Sequence, residues 1–303
     1  MPAANSSPEV SIIMPTYNRA PYIIETIHSI RQQTFSNWEL IIVDDGSDDN
    51  TEDLIRQLKD GRIKYYKAGR IGINGKIKNI GLEKSSAELI AFMDSEDLWA
   101  VTKLEKQVTA LQQYPDAGFS LTGGYNFKKP GEPIDFFYKQ KEGTQYGNVL
   151  LSFFKSQLSA TTPSLMLRKK CFDTIGRFNE DKPFADIDLI LSLAKHFKAV
   201  ILFEPLLYRR LHDTNDSKAN WIKGYQHGIE MIRAYEKELP PDITKQALFR
   251  LYMNFGEDYL LHKERKKALI IFFKGWKKKP VSIIPLKKIG KAIILSFKSE
   301  RQL

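Results

Sequence analysis

Residues 94–97, Asp94-Ser95-Glu96-Asp97, set three carboxylates within four positions, directly after the apolar run Leu89-Ile90-Ala91-Phe92-Met93. Such a run, bounded by polar residues, reads as a strand buried on both faces. Ligands of open α/β sheets lie at the carboxyl ends of the strands. Carboxylates crowded there repel one another unless a cation sits between them. A divalent ion carrying a diphosphate meets that need, because Mg2+ takes one or two carboxylates and shares the phosphate oxygens. An acidic turn that caps a following helix, with Asp97 ahead of Leu98-Trp99, fits the same residues.

The elements that must position these carboxylates follow from the pattern. Residues 10–14 read as a first buried strand, followed by the polar loop Pro15-Thr16-Tyr17-Asn18-Arg19. Pro21 suits the first turn of a helix, and Ile23, Ile27 and Ile30 give it one apolar face. Residues 38–43 read as a second strand, ended by Asp44-Asp45-Gly46-Ser47, and Leu54, Ile55 and Leu58 form the stripe of a second helix. Residues 63–66 are a third strand. A glycine-rich loop (Gly69, Gly72, Gly75) and a short helix over 76–82 lead into the strand that ends at Asp94. This β-α alternation implies a mostly parallel sheet flanked by helices, with right-handed crossovers. Three polar or acidic turns then emerge at one sheet edge. No Gly-x-Gly-x-x-Gly follows the first strand and no Gly-Lys-Ser/Thr loop is present, so phosphates are not held mainly by a glycine-rich cradle.

Beyond the first half, the expected order is a helix over 102–113, a strand over 118–127 and irregular chain over 130–146. A short helix over 149–154, a strand over 162–167 and a short helix ending at Gly176 come next. The acidic stretch 178–188 runs into a helix with the stripe Leu189, Leu193 and Phe197. Residues 200–203 and 206–210 read as two further strands closed by His212. The chain is helical from 217 onward, split at Pro240-Pro241.

The net charge of +10 is uneven. Residues 262–303 hold 13 Lys and Arg against two acidic residues, which leaves 33 basic and 34 acidic residues elsewhere. The basic balance therefore belongs to the tail, and the body needs no polyanion; no nucleic acid is expected as a partner. A single cysteine, Cys171, allows no intrachain disulfide and points to a reducing, cytoplasmic setting. The start lacks the basic and apolar regions of a signal peptide, and no apolar run approaches the ~20 residues of a membrane span. The tail mixes lysines with Ile, Leu, Phe and Trp276. That suits either an interfacial helix on an anionic membrane surface, which would make the protein peripheral on the inner face, or a helix packed on the body with a solvated basic face.

Three motifs in order, Val10-Ser-Ile-Ile-Met-Pro-Thr-Tyr-Asn-Arg19, Trp38-Glu-Leu-Ile-Ile-Val-Asp-Asp-Gly-Ser47 and Ile90-Ala-Phe-Met-Asp-Ser-Glu-Asp-Leu-Trp99, resemble family 2 glycosyltransferases. The resemblance spans roughly residues 8–215. It implies a glycosyltransferase A-type fold, a nucleotide-diphosphate sugar donor (a UDP-sugar above all), Mn2+ or Mg2+, and inversion at the anomeric carbon. The acceptor it implies is a hydroxyl of a glycan or a lipid-linked sugar. The domains expected are a catalytic domain over 8–215, with its nucleotide-sugar part over about 8–115 and its acceptor part over about 116–215, and a helical basic extension over 216–303.

By position, the resemblance assigns the nucleoside pocket to Pro15, Thr16 and Tyr17, with Asp45 accepting from the base N–H and Asp44 supporting the loop. Lys78, where the family has Arg, is expected at a phosphate. Asp94 and Ser95 are expected at the nucleotide, and Asp94, Glu96 and His212 at the metal. Glu96 stands where the family has Asp and adds a methylene. The general base is expected at Asp186, where Ala185 replaces the first acid of the family's Glu-Asp pair; it would take the acceptor hydroxyl's proton. The plain alternative for Asp186 is a charge favoured at a helix N-terminus, and Asp188, two residues on, points elsewhere. Ala185 and Glu96 also motivate a rival, a nucleotide-sugar-binding protein of this fold with weak or lost transfer. His28, His196, His227 and His262 are expected to be structural. Trp99 suits either an acceptor cover or the core, and Cys171 a packed thiol.

Overall fold

The computed structural model describes residues 7–138, 141–182, 184–212, 220–280, 282, 284 and 287–289. The chain divides into two compact units, one of residues 1–150 and 158–212, the other of 151–157 and 213–303.

The first unit is built on a ten-stranded sheet of order β3-β2-β1-β4-β9-β6-β10-β5 (β5 being Leu98–Trp99), with β7 (Pro133–Phe136) beside β6 and β8 (Thr144–Gly147) beside β10. Strands β1 (Val10–Thr16), β2 (Trp38–Asp44), β3 (Ile63–Lys67) and β4 (Leu89–Phe92) are all parallel. β1 lies between β2 and β4, and every residue of β2 and β4 is buried. That explains their unbroken apolar runs, because a strand covered on both faces has no solvent side to alternate toward. β6 (Ala117–Phe127) and β10 (Lys198–Arg210) are parallel to each other, with β9 (Leu165–Arg168) antiparallel between β4 and β6. The sheet is thus mostly parallel, as expected.

Helices α1 (Ile23–Arg31), α2 (Thr51–Arg56), α3 (Asn74–Lys84), α4 (Lys103–Gln113) and α7 (Ala185–His196) flank it. Ile23, Ile27 and Ile30 of α1 are fully buried with Val10, Ile12 and Leu40 in the main core. α3 lies so close to β1 that a Cβ on Gly81 would stand 2.5 Å from Ile13 Cγ2.

Two regions differ from expectation. Residues 130–146 are not wholly irregular: they supply β7 (Pro133–Phe136) and β8 (Thr144–Gly147). Both are edge pieces held through backbone pairing, and β7 is exposed throughout, so no apolar pattern announces it. The two strands expected around 200–210 are one. β10 runs through an irregularity opposite Gly123, where a Cβ would stand 2.6 Å from Phe203 O. The bulge interrupts the sequence pattern without ending the strand.

The second unit is helical, with α8 (Trp221–Ala234), α9 (Pro241–Leu261) and α10 (Arg265–Trp276). Trp221, Tyr225, Phe255 and Tyr259 pack as a ring cluster between α8 and α9. The short α5 (Leu150–Phe154) lies at the division between units, and the short α6 (Phe172–Ile175) belongs to the first.

Candidate active site

The three polar turns leave the carboxyl ends of β1, β2 and β4, which are neighbours in the sheet. Pro15 pairs with Val43 and Thr16 with Asp44 within it. Asp44 is fully buried. Its carboxylate accepts from Ser47 N at 2.7 Å and from the Tyr65 hydroxyl, so it shapes the turn. Burial and that carboxylate raise the Tyr65 pKa far above its ordinary value, which keeps the hydroxyl a donor.

Asp45 donates its N–H to Thr16 O at 2.9 Å. Its carboxylate accepts from Arg70 and from the N–H groups of Ile71 and Gly72, at 2.5 and 3.0 Å. The Arg70 guanidinium lies 3.9 Å from the centre of the Tyr17 ring. The loop can approach because residue 46 is glycine: its φ is +79° and a Cβ there would stand 2.9 Å from Arg70 N. Arg70 is a contact that the sequence did not announce. Thr16 Oγ1 is buried with no hydrogen-bond partner among the described residues.

The acidic turn after β4 does not cap a helix. Asp97 leads into the short strand β5 (Leu98–Trp99), and α4 begins only at Lys103. Asp97 is buried and accepts Arg210 N at 2.8 Å, while Arg210 Nε donates to Glu96 O at 2.8 Å. Burial, then repulsion from Asp94, raises the Asp97 carboxyl well above its ordinary value. Asp94 is partly accessible, yet protein crowds its carboxyl. That burial outweighs the pull of Lys78 and, with repulsion from Asp186 and Glu96 added, pushes it up to about 6. Ser95 is buried in the turn. Glu96 Oε1 lies 2.9 Å from His212 Nε2, and Glu96 Oε2 lies 2.7 Å from Arg19 Nε. His212 stacks on Tyr22. Arg19 in turn donates to Tyr17 O at 3.0 Å, tying the acidic turn to the loop after β1.

Asp186 stands in the first turn of α7, 38% exposed at its side chain. Its Oδ1 and Oδ2 accept from Lys78 Nζ at 2.7 and 2.8 Å, and Oδ2 also accepts from Thr162 Oγ1 at 3.0 Å. Lys78 is completely buried and lies under this carboxylate, where the sequence reading expected it at a phosphate. α3 is held beside it: Asn79 donates to Phe178 O and to Glu180 Oε1, each at 2.9 Å. Asp188 points instead to Lys182, at 3.3 Å. Trp99 is buried in the main core and donates to Pro163 O at 3.1 Å, so packing accounts for it. Cys171 is a buried thiol.

The structure therefore links two groups at this sheet edge, Tyr17–Arg70–Asp45 and Tyr17–Arg19–Glu96–His212, and joins Asp94 electrostatically to Glu96, Lys78 and Asp186. Arg19, Arg70, Thr162 and Arg210 were missed as partners. Each meets its counterpart across a gap in sequence that motif reading does not bridge. Among the described residues no three His, Cys, Asp or Glu side chains stand together as a metal-binding group. The carboxylates of Asp94 and Glu96 are the oxygen donors that Mn2+ or Mg2+ take, whereas the imidazole of His212 is a donor more usual on softer ions.

Comparison with known proteins agrees with this architecture. The profile described as "Glycosyl transferase family 2" matches residues 11–172, more than half of the chain. TuaG of Bacillus subtilis, named for teichuronic acid biosynthesis, is 37% identical over 148 residues, covering 48% of this chain and 58% of TuaG. WfgD of Escherichia coli, a UDP-Glc:α-D-GlcNAc-diphosphoundecaprenol β-1,3-glucosyltransferase, is 42% identical over 106 residues, covering 34% of this chain and 40% of WfgD. The chain thus spans about half the length of these relatives. The crystal structure of Staphylococcus aureus TarS residues 1–349 in complex with UDP-GlcNAc superposes with a TM-score of 0.67 at 17% identity, covering 97% of this chain and 92% of that one. It shares the fold. The chain belongs to family 2 of the glycosyltransferases and has the glycosyltransferase A-type fold.

Proposed function

We propose that this protein is an inverting transferase of cell-surface polysaccharide biosynthesis. In this reading it moves a sugar from a UDP-sugar to a hydroxyl of a glycan or lipid-linked acceptor. The observation that carries it is the Asp186 carboxylate. Lys78 and Thr162 hold it from beneath, while part of it stays open to solvent beside Asp94. A carboxylate has about four acceptor positions and three are taken here, so one is left for a substrate hydroxyl. Asp186 then takes the acceptor proton as that oxygen attacks the anomeric carbon and the diphosphate departs. Tyr17, Asp45 and the unsatisfied Thr16 hydroxyl form the nucleoside side, with Asp44 shaping the loop. Asp94, Glu96 and His212 would hold the divalent cation, which supplies charge neutralisation for the leaving diphosphate. The names of WfgD and of the TarS complex support a UDP-sugar donor, and that of WfgD a lipid-diphosphate acceptor. The catalytic domain is assigned to residues 8–215 and the extension to 216–303.

One observation favours a second reading, donor binding with weak transfer. Both Glu96 oxygens are already engaged, by His212 and Arg19. The test is thermal melting with UDP, with and without Mn2+ or Mg2+, followed by UDP release from a panel of UDP-sugars. Metal-dependent stabilisation and turnover support transfer. Stabilisation with no turnover for any donor–acceptor pair supports the second reading. No stabilisation contradicts both.

A further inference from the structure

We infer that the outer face of α10 is a docking surface for an anionic lipid bilayer. The setting of the helix about its own axis is fixed by its inner face. Ala268, Ile271, Phe272 and Gly275 are buried, and two close approaches lock them against α9. A Cβ on Gly256 would stand 2.3 Å from the Phe272 ring, and one on Gly275 would stand 2.4 Å from Met253 Cε. At 100° per residue the opposite side is then one continuous arc: Lys266, Lys267, Ile270, Phe273, Lys274 and Lys277, all exposed. Ile270 is 57% and Phe273 47% exposed, and no acidic residue lies among them. Glu264, one turn back, pairs with Lys267 at 3.2 Å.

The chemistry of this arc selects its partner. A nucleic-acid duplex would engage the lysines through its phosphates and leave Ile270 and Phe273 in water. A second copy related by a two-fold axis would set lysine against lysine. A bilayer interface takes both kinds of group at once: the apolar pair enters the headgroup–acyl boundary while lysines on either side meet anionic headgroups. The sequence left open whether the basic tail binds a membrane or packs on the body. Here the helix packs its inner face on α9 of the same unit and presents its outer face. The inference does not depend on the proposed transfer chemistry, although it fits an enzyme whose acceptor is carried on a lipid.

The test is co-sedimentation of the full chain with vesicles of equimolar phosphatidylglycerol and phosphatidylcholine, and with phosphatidylcholine alone, at low and high salt. Binding to the anionic vesicles that weakens with salt is expected. The Ile270→Glu/Phe273→Glu variant should bind about tenfold or more weakly with unchanged thermal melting. Replacing Lys266, Lys274 and Lys277 by Gln should remove the preference for anionic vesicles. The inference is overturned by no sedimentation with anionic vesicles, by equal binding to neutral ones, or by wild-type binding of the Ile270→Glu/Phe273→Glu variant. It is equally overturned if that variant abolishes a concentration-dependent self-association of the wild type, since the face would then be an interface between copies. If the apolar variant fails to fold, the lysine variant decides.

Discussion

Lys78 Nζ lies 2.7 Å from Asp186 Oδ1 and 2.8 Å from Oδ2, across 108 residues of sequence. A fully buried ammonium that bridges both oxygens of one carboxylate fixes its orientation in a way that solvent cannot. In the proposed mechanism Lys78 is a positioning residue for Asp186. Lys78→Met is expected to lower kcat about 10- to 100-fold, as loss of a supporting contact typically does, while the affinity for UDP measured by calorimetry is retained. Lys78→Arg should recover part of the loss. A Lys78→Met protein that is folded but binds UDP far more weakly would put the lysine at the diphosphate instead.

Arg70 covers the Tyr17 ring at 3.9 Å and engages Asp45. A base stacking on that face of Tyr17 must first displace the guanidinium. The contact is half-exposed, so its worth is about 0.5–1 kcal/mol. Arg70→Ala should accordingly tighten uridine binding about two- to fivefold, read by calorimetry. Weaker binding would mean that Arg70 closes over the ligand and does not compete with it.

Glu39 sits buried within the sheet and accepts from Ser11 at 2.5 Å, from Ser86 at 2.8 Å and from Lys64 at 2.6 Å. Burial alone would raise its pKa, but these donors outweigh it and hold the carboxyl at about 2. A depressed carboxylate adds stability that is present above the unfolded-state value, about 4.5, and is lost as pH falls from there toward 2. Lys64 is partly exposed, so the contribution is of order 2 kcal/mol. Urea unfolding at neutral pH and at about pH 3 should show that loss in the wild type and its absence from Glu39→Gln. Equal acid sensitivity of the two proteins would contradict it.

Gly81 lets α3 lie against β1. Alanine is ordinarily the better helix residue by about 0.5–1 kcal/mol. Here its Cβ would stand 2.5 Å from Ile13 Cγ2, on a fully buried side chain with no room to turn. The clash wins, and Gly81→Ala should destabilise by about 1–3 kcal/mol in urea. Because α3 also carries Lys78 and Asn79, transfer should fall with stability. A stabilised variant would show that α3 can lift at no cost.

The parallel half of the fold was legible because its strands are covered on both faces and so read as unbroken apolar runs. The turns after β1, β2 and β4 were legible as polar breaks at the strand ends. The remainder was hidden for physical reasons. β7 and β8 hold their places through backbone pairing, which leaves no side-chain pattern. β10 reads as two strands because its bulge shifts the alternation between Leu202 and Pro205. At the candidate site, the sequence displays charge without direction. Lys78, expected at a phosphate, also pairs with Asp186 across 108 residues, which no motif shows, and Arg19 and Arg70 read as loop residues until Glu96 and Asp45 are found opposite them.

The central claim is that Asp186 removes the acceptor proton. It is tested most directly by UDP release at saturating UDP-sugar, metal and acceptor, comparing the wild type with Asp186→Asn. The account predicts a fall in turnover of about 10²- to 10⁴-fold, with UDP affinity and thermal melting retained. Equal turnover by the two proteins would contradict it.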